Sequence, residues 1–333
     1  MLKQPPLKNL PSAFENNLKN PPSRAIIGKR QIEKGRDGAF NFYGGNMVPF
    51  TYYLGYDNLS AEQQQAMLDE FVCSGGENLV LTDSLLAQFC GKPQLRKVFY
   101  RQIAKAGIKL VDAHSPFGPE CDLMQPDDNR KIASARQKLV LELVHEAGVD
   151  TCCFHLGNAP SFMEYKLDEL HTFICRTLEI LLKRAEELKI TICIENIFKP
   201  LNTVSEILEL VKKFDSPYLG VCYDAGHANI MENGMNFPDS RPWKQWEGRG
   251  EVEWESDILG KLLPHIVNCH LHDNFAAQDE HSLPGKGTVD WERTFSLLNQ
   301  APRLRSMQSE VVPLRSGVAI RRLIETWQKM QHN

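Results

Sequence analysis

Six segments of this chain are short apolar runs that end in histidine, aspartate or glutamate. These segments are KLVDAHSPFG, TCCFHLGN, ITICIENI, LGVCYDAGHANI, IVNCHLHDN and LRSMQSEVV. Their polar residues are His114, His155, Glu195, Asp224, His227, His270, His272 and Glu310. Imidazole and carboxylate groups together form the ligand set of a divalent metal ion. If these segments end at one place in the fold, the sequence predicts a metal-dependent enzyme.

The stretches between these segments have helical patterns. RKIASARQKLVLELVHEAG, for example, is amphipathic and ends in glycine before the TCCFHLGN segment. Strands that alternate with helices indicate a parallel sheet, and near-continuous apolar runs such as TICI and IVNC are typical of strands buried on both faces. The chain contains eight predicted strand–helix pairs. We therefore predict an α/β protein with a (β/α)8 TIM barrel, in which the strand ends gather at one face.

The predicted barrel is a single domain over residues 37–333, preceded by an N-terminal extension over residues 1–36. The extension is rich in proline, asparagine and lysine and is expected to wrap the barrel or form an arm. We place the first strand in AFNFYGGN, with TYYLGY as the competing choice. A doubly wound nucleotide-binding fold is the rival architecture, but neither of its glycine-rich phosphate motifs is present. No nucleotide cofactor is therefore expected.

The composition restricts the partners of the protein. The formal net charge of −4 offers no basic excess of the kind that binds nucleic acid. The nine cysteines lack the spacing of a disulfide framework, and we interpret them as small buried residues in a reducing compartment. No stretch reaches the roughly 18 apolar residues of a membrane span. We expect a cytoplasmic protein, and a homo-oligomer remains open.

Two glutamates follow apolar runs, Glu195 in TICIE and Glu310 in MQSEV. A carboxylate in such a place is costly unless it is paired or bound to a metal ion. If they come from roughly opposite strands, the two could flank a substrate and bind one cation. Asp224 and His227 are three residues apart and a short turn can direct both into the pocket. In the alternative interpretation, Asp224 is an N-cap and His227 a turn residue.

His270 and His272 are two residues apart, so both face the same side of their strand. Only one of them need be a ligand, and Asp273 or a neighbouring carboxylate is expected to orient the other. The following segment, DEHSLPGKGTVDW, places Asp279 and His281 before a turn and a helix start. Earlier, residues 229–255 form a loop with Trp243 and Trp246, of a length that is typical of functional or interface segments.

The segments IENI, CYDAGHAN, HLHDN, DEHSLPGKGTVDW and SEV occur in the order found in xylose-isomerase-like TIM barrels, and the chain resembles that superfamily over about residues 40–330. The superfamily contains sugar isomerases and epimerases, inosose and dehydroshikimate dehydratases, and the endonuclease IV type of abasic-site nuclease. The resemblance implies a catalytic Mn²⁺, Mg²⁺, Co²⁺ or Zn²⁺ and substrate contact by His227. The implied ligands of one ion are Glu195, Asp224, His270 and Glu310.

The nuclease branch binds three zinc ions, and its further ligand positions are also filled here. They correspond to His114, His155, His227, Asp279 and His281. The turn SLPGKG followed by DW nevertheless resembles the LPPGEG-x-x-DW segment of sugar isomerases, and we find no arginine-rich set of DNA-penetrating loops. Ketose 3-epimerases carry an arginine shortly after the metal histidine, where this chain reads NFAAQ. A common ketohexose is therefore not the expected substrate.

From the resemblance we expect an isomerase or epimerase that moves a proton next to a carbonyl of a small carbohydrate. Glu195 and Glu310 form the acid–base pair, with the base left open, and His227 binds the developing oxyanion or a hydroxyl. His114, His155 and His272 contact substrate, and the two tryptophans cover a sugar face or an oligomer contact. Dehydration and carbon–glycoside cleavage begin with the same proton abstraction. A zinc phosphodiesterase and a binding protein with a decayed site also remain open.

Overall fold

Eight parallel strands form the centre of the computed structural model, which describes residues 48–332. Consecutive strands pair from β1 to β3 and from β4 to β8, and β8 pairs with β1. β3 and β4 meet through an isolated bridge between His114 and Cys153. This confirms the predicted (β/α)8 barrel. The strands are β1 (Phe50–Tyr52), β2 (Asn78–Leu81), β3 (Lys109–Ala113), β4 (Thr151–Phe154), β5 (Thr191–Glu195), β6 (Leu219–Asp224), β7 (Ile266–Leu271) and β8 (Ser306–Ser309).

Helices surround the strands and fill the connections. Within residues 48–332 they are α1 (Ala61–Cys73), α2 (Asp83–Gly91), α3 (Gln94–Ala106), α4 (Asp127–Glu146), α5 (Leu167–Leu188), α6 (Val204–Phe214), α7 (Ala225–Asn233), α8 (Arg241–Gln245), α9 (Ile258–Leu262), α10 (Trp291–Leu298), α11 (Pro313–Ser316) and α12 (Ile320–His332). Short 3₁₀ turns add Ala159–Phe162, Gly234–Asn236 and Leu263–His265. In this part of the chain, no helix combines the length and apolarity that crossing a membrane requires.

The structure changes two sequence interpretations. The first strand is Phe50–Tyr52, which overlaps the competing segment TYYLGY, whereas AFNFYGGN lies outside the described residues. The extension over residues 1–36 lies outside them too, so the proposed domain bounds remain predictions. The 229–255 segment, predicted as a loop, contains the end of α7 and all of α8. α7 exists because Asp224 caps it directly at the end of β6.

The last helix closes the barrel against its first strand. Trp327 of α12 is fully buried, and its Nε1 donates a 2.8 Å hydrogen bond to Ser309 Oγ at the end of β8. Its ring lies 5.1 Å from that of Phe50 in β1 and 5.3 Å from that of Trp291 in α10. A buried indole with a satisfied N–H therefore joins the first and last strands.

The barrel interior below the strand ends is partly polar. Asp112 of β3 accepts hydrogen bonds from Thr51 Oγ1 at 3.2 Å and from Ser306 Oγ at 2.8 Å. Complete burial raises the pKa of this carboxyl above its usual value. All nine cysteines are free thiols. This agrees with the expectation of unbridged cysteines.

Candidate metal centre

Glu195 lies at the centre of the predicted site, at the carboxyl end of β5. Its side chain is 1% exposed, and its Oε2 lies 3.0 Å from His155 Nε2 and 3.6 Å from His114 Nε2. Its Oε1 lies 3.1 Å from His227 Nδ1. One carboxylate therefore meets histidines that follow β3, β4 and β6, because strand ends converge at one face of a barrel.

Asp224 ends β6 and uses its two oxygens differently. Oδ1 caps α7 by accepting a 2.6 Å hydrogen bond from the backbone N–H of His227. Oδ2 is buried without a hydrogen-bond partner among the described residues and lies 3.9 Å from His270 Nδ1. The N-cap interpretation is thus correct for one oxygen, and the other remains available as a ligand. His227 lies in the first turn of α7 rather than in a loop.

Position 226 in the DAGH segment requires glycine because the His272 ring approaches its backbone closely. A Cβ atom at this position would lie 1.9 Å from Cε1 of His272, which is far inside van der Waals contact. His272 is fully buried there, with its Nε2 3.3 Å from Asp224 Oδ1 and 3.6 Å from Asp279 Oδ1. The glycine therefore lets the imidazole from β7 pack against α7 and reach both carboxylates.

β7 and β8 bring a histidine and the second glutamate together. His270 Nδ1 lies 3.1 Å from Glu310 Oε1 and 3.5 Å from Glu195 Oε2. Gln308 of β8 donates a 3.1 Å hydrogen bond to Glu310 Oε1 and holds that carboxylate. Neither ring nitrogen of His270 has a hydrogen-bond partner in the described part of the chain. His270 thus stands between the two predicted acid–base glutamates.

Asp279 and His281 reach the same pocket from the loop after β7. Asp279 Oδ2 lies 3.3 Å from His281 Nε2 and 3.5 Å from His227 Nε2. His281 has a φ of 49°, in the left-handed region that residues other than glycine seldom occupy. Its Nδ1 lies 3.1 Å from the backbone oxygen of Glu310. Backbone strain of this kind is concentrated at functional sites, where it fixes the direction of a side chain.

Asp273 organises the SLPGKG turn and does not orient a histidine of the described chain. The alternative prediction of a neighbouring carboxylate agrees with the positions of Asp224 and Asp279 beside His272. The Asp273 carboxylate accepts hydrogen bonds from the backbone N–H of Gly285 at 2.8 Å and from Trp291 Nε1 at 3.1 Å. A Cβ atom at Gly287 would lie 2.1 Å from a backbone oxygen. The GKG and DW parts of the motif therefore hold this loop against the end of β7.

Burial and neighbouring charges determine the protonation of the pocket. Burial opposes ionisation of Glu195, but the imidazoles of His155 and His270 hold the pKa of this carboxyl well below its usual range. Burial acts in the same way on Asp279, and His227 overcomes it and lowers the pKa of that carboxyl. Both carboxyl groups are therefore ionised at neutral pH and can serve as ligands.

The unpaired atoms of this pocket fit divalent cations. Buried atoms without a hydrogen-bond partner within residues 48–332 include Asp224 Oδ2, Asp279 Oδ1 and both ring nitrogens of His270 and His272. Such atoms cost free energy unless an ion binds them. Ligand atoms at about 2.1 Å from one ion lie about 3.0–3.5 Å apart, close to many of the separations given above. Donor atoms lie within 4.8 Å of one another in four overlapping groups: His114, Cys153, Glu195 and His270; Asp224, His270 and Glu310; Asp224, His227 and His272; and His272, Asp279 and His281.

Sequence reasoning missed two side chains that contact the carboxylate residues, one at a side chain and one at the backbone. Cys153 of β4 donates a 3.1 Å hydrogen bond from Sγ to Glu195 Oε2. Asn196 links the ends of β5 and β6: its Nδ2 donates to the Asp224 backbone oxygen at 3.0 Å, and its Oδ1 accepts from the Asp224 N–H at 2.9 Å. Asn196 follows Glu195 directly in the segment IENI, so the sequence already indicated that it lies next to a strand end.

Phenylalanines pack against the site histidines, whereas tryptophans were predicted. Phe117 stacks on His155 with ring centroids 4.4 Å apart, and Phe198 meets His227 edge-on at 5.0 Å. Of the predicted aromatic residues, Trp246 is buried, and Trp243 is 44% exposed and packs edge-on against Trp254. The proposed role of Trp243 and Trp246 over a sugar remains a prediction. Every histidine, aspartate and glutamate predicted for the site lies in or beside the pocket.

A separate group of possible ligands lies between α5 and α6. His171 Nδ1 lies 2.7 Å from Glu206 Oε1, and His171 Nε2 lies 3.5 Å from Glu209 Oε1. The side chain of Glu209 is 64% exposed, so water can solvate it without an ion. The Glu206–His171 pair is a partly buried glutamate–histidine pair outside the pocket. A substitution of Glu206 can therefore serve as a control for substitutions of the glutamates in the pocket.

The chain is similar in sequence to proteins with and without a described activity. It is 25% identical over 197 residues to an uncharacterized protein of Methanocaldococcus jannaschii, a match that covers 58% of this chain and 61% of that protein. It is 23% identical over 243 residues to an L-ribulose-5-phosphate 3-epimerase of Salmonella typhimurium, covering 69% of this chain and 75% of the epimerase. The chain thus spans less than two thirds of the first relative. Its relatives include sugar epimerases.

Solved structures show the same fold. A D-tagatose 3-epimerase-like protein matches with a TM-score of 0.62 at 18% identity, over 85% of this chain and 98% of that protein. The IolI protein with a bound zinc atom matches with a TM-score of 0.59 at 15% identity, over 84% and 96% of the two chains. A family model described as xylose isomerase-like TIM barrel matches residues 88–303, more than half of the chain. This chain therefore belongs to the xylose isomerase-like TIM barrel family.

Proposed function

We propose that this chain is a divalent-metal-dependent isomerase or epimerase of sugars or sugar derivatives. The observation that carries the proposal is the convergence of Glu195 and Glu310 on His270, at 3.5 and 3.1 Å from its Nδ1. Asp224 Oδ2, which has no hydrogen-bond partner in the described chain, lies 3.9 Å from the same nitrogen. Two carboxylates that flank one pocket can exchange a proton with the two faces of a bound substrate. The similarity to an L-ribulose-5-phosphate 3-epimerase supports this reaction class.

The proposed metal ligands are the four groups nearest this convergence: Glu195, Asp224, His270 and Glu310. A bound Mn²⁺, Mg²⁺, Co²⁺ or Zn²⁺ ion supplies a Lewis acid that polarises a substrate carbonyl. Gln308 and Asn196 hold two of the ligands through the hydrogen bonds described above. Such outer contacts orient ligands and tune the site.

In the proposed reaction, the two glutamates handle the protons. One takes a proton from the carbon next to the carbonyl, and the other returns a proton to the opposite face or to the neighbouring carbon. The side chain of Glu195 is 1% exposed and that of Glu310 is 12% exposed. Glu310 therefore exchanges its proton with solvent more readily than Glu195.

The remaining pocket residues bind and orient the substrate in this proposal. His227 lies between Glu195 and Asp279 and hydrogen-bonds an oxyanion or hydroxyl of the sugar. His114 and His155 line the wall on the β3–β4 side. Phe117 is 53% exposed and offers an aromatic face to the C–H groups of a sugar, the role that the sequence predicts for the tryptophans.

Solvent exchange tests the proposed function. Metal-loaded protein is incubated in D₂O with a panel of ketoses, ketose phosphates, keto acids and glycosides, and mass spectrometry follows deuterium at carbon. We expect deuterium to be incorporated at the carbon beside the carbonyl of at least one compound. We also expect this incorporation to be lost in Glu195→Gln and Glu310→Gln and to be retained in the control Glu206→Gln. Loss of water or of an aglycone would reassign the enzyme as a lyase. No exchange with any compound would contradict the proposal.

A specific observation favours a second candidate, phosphodiester hydrolysis by a site with several cations. The pocket contains four carboxylates, from Glu195, Asp224, Asp279 and Glu310. One divalent ion compensates two of these charges, and buried uncompensated charge is costly. The further donors are His114, His155, His227, Asp279 and His281. Zinc-loaded protein would then nick a duplex with one abasic site, and the absence of nicking would eliminate this candidate.

A further inference from the structure

Two cationic side chains lie beside the pocket. They are Lys199, in the loop after β5, and Arg241, the first residue of α8. Lys199 is partly buried and Arg241 is exposed, and neither side chain forms an ion pair or a side-chain hydrogen bond within residues 48–332. The Arg241 Cζ atom lies 5.9 Å from the centre of the Phe198 ring, and this ring meets the His227 ring at 5.0 Å. One aromatic ring thus separates the guanidinium from an imidazole of the site.

The turn that carries Lys199 is held firmly. The Lys199 N–H donates to the Ile197 oxygen at 2.8 Å, and the Lys199 oxygen accepts from the Asn202 N–H at 3.1 Å. Asn202 Nδ2 also donates to the backbone oxygen of Gly157, after β4, at 3.1 Å. The turn includes Leu201 at a φ of 63°. A strained turn joined to the neighbouring strand end fixes the position of its side chains relative to the pocket.

Burial and neighbouring charges act on the Lys199 ammonium group in opposite directions. Burial lowers the pKa of Lys199, the carboxylates of Asp122, Glu195 and Asp279 oppose that change, and Arg241 adds to it. None of these carboxylates pairs with Lys199. A partly desolvated ammonium gains free energy by binding an anion.

Arg249 shows what a structural arginine looks like in the same region. Its Nη1 donates a 2.7 Å hydrogen bond to the Tyr165 oxygen, and its Nη2 donates to the Ala159 oxygen. These bonds connect the segment after α8 to the connection after β4. Lys199 and Arg241 make no such bonds in the described chain, so their charged groups remain available for a ligand.

We propose that Lys199 and Arg241 bind an anionic group of the substrate, a phosphate ester or a carboxylate, beside the metal centre. The substrate class is then sugar phosphates or sugar acids, with the reacting carbons at Glu195 and Glu310. Arginine matches two anion oxygens with its planar fork, and lysine adds a point charge. This inference rests on the proposed function for the reaction, while the anion site itself can be tested without turnover.

Calorimetry on the metal-loaded full-length chain tests the anion site. The probes are glycerol 3-phosphate and glycerate, which present a phosphate ester and a carboxylate on the same three-carbon chain. The proteins are wild type, Lys199→Met, Arg241→Met and the control Lys244→Met, which removes an exposed lysine of α8. Elemental analysis and circular dichroism confirm equal metal content and folding, so binding by the metal centre cancels in the comparison.

We expect wild type and the control to bind at least one probe with equal affinity. We expect Kd to rise about 10-fold or more in Lys199→Met and Arg241→Met, because a charge-assisted hydrogen bond is lost. The probe that shows this change identifies the group as phosphate or carboxylate. Equal Kd values in all four proteins for both probes would overturn the inference.

Turnover separates this inference from the proposed function. If no sugar exchanges deuterium but probe binding still depends on Lys199 and Arg241, the anion site is supported and the proposed function fails. The opposite result is also possible to distinguish: neutral sugars exchange deuterium at the same rate in wild type and Lys199→Met, and the substitution changes neither probe binding nor deuterium exchange of sugar phosphates. The proposed function is then supported and the anion site fails.

Discussion

The two arcs of the barrel differ in strand pairing and in what their strand ends carry. On the β4–β7 arc, β4 pairs with β5 over four residues and β5 pairs with β6 over four. On the β1–β2 arc, β1 pairs with β2 through Tyr52 and Leu79. The ends of the first arc carry most donors of the candidate metal centre, including Glu195, Asp224 and His270, while His114 follows β3 and Glu310 follows β8. The ends of the second carry Tyr53 and Thr82, whose hydroxyls donate to Asp83 at 2.8 Å and to Asp57 at 3.0 Å.

Because of this difference, we expect one arc to determine metal binding and activity and the other to determine the stability of the same fold. The β4–β7 arc holds buried polar atoms that lack partners within residues 48–332, which costs folding free energy and leaves ligands available. On the β1–β2 arc the hydroxyls of Tyr53 and Thr82 are paired locally, which stabilises the fold, while Tyr56 Oη and Asp57 Oδ1 have no partner within the described residues. Substitutions on the first arc should therefore change metal content and activity, and substitutions on the second should change the free energy of unfolding.

The largest expected effect is on activity, at Glu195. Replacing Glu195 with Gln removes a charge that faces four histidines. It also removes the proposed acid–base role, so kcat/KM should fall by about 10³-fold or more. The metal-free variant should be as stable as metal-free wild type, because an amide is easier to bury than a carboxylate. Glu206→Gln removes a buried glutamate–histidine pair elsewhere and should keep full activity. An active Glu195→Gln variant would contradict this assignment.

Metal removal is expected to have the next largest effect. At free ion concentrations about 100-fold above Kd, binding stabilises the folded state by about 2.7 kcal/mol. Chelation should remove this amount, measured by urea unfolding with and without the ion. Asp57→Ala should lose the same amount on chelation, because its arc does not carry the ligands. Equal unfolding free energies with and without ions would refute a metal centre.

Gly226→Ala compares a crowded glycine with an open one. The added Cβ would overlap the His272 ring at 1.9 Å, so we expect a loss of about 1–3 kcal/mol in unfolding free energy and reduced metal binding. Gly91→Ala in α2 meets no atom within 4 Å and should change stability by less than about 1 kcal/mol. If thermal unfolding showed the same stability for the two variants, the close contact between position 226 and the His272 ring would not limit the residue at this position.

Asp57→Ala should affect stability alone. Asp57 accepts hydrogen bonds from Thr82 and Ser84, and its removal leaves buried hydroxyls unpaired at a cost of about 1–2 kcal/mol. Activity and metal content should stay within about twofold of wild type, measured at a temperature where the variant is folded. A variant that folds normally but loses its metal would break the proposed division between the arcs.

The residues that carry the donor atoms can be predicted from the sequence more readily than the side chains that contact them. Strand-end positions in a parallel barrel follow from alternating strands and helices, so Glu195 and His270 could be placed at one face. Phe117 meets His155 from a different strand end, and such contacts depend on loop paths that local patterns do not encode. The first strand could not be chosen from two candidate segments because β1 has only three residues, too few for a clear period. Of the two predicted choices for orienting a histidine, Asp273 is wrong because its carboxylate bonds to Gly285 and Trp291, which lie 12 and 18 residues further along the chain.

The central claim is that Glu195 organises a divalent metal centre. Elemental analysis of freshly purified, untagged full-length protein tests it most directly, with Glu195→Gln and Glu206→Gln beside wild type. We predict at least one Mn, Mg, Co or Zn ion per chain in wild type and Glu206→Gln, and loss of that metal in Glu195→Gln. About one ion per chain would favour the sugar isomerase or epimerase, and close to three zinc ions would favour the phosphodiesterase. Wild type without metal, or Glu195→Gln with unchanged metal content, would rule out this role of Glu195.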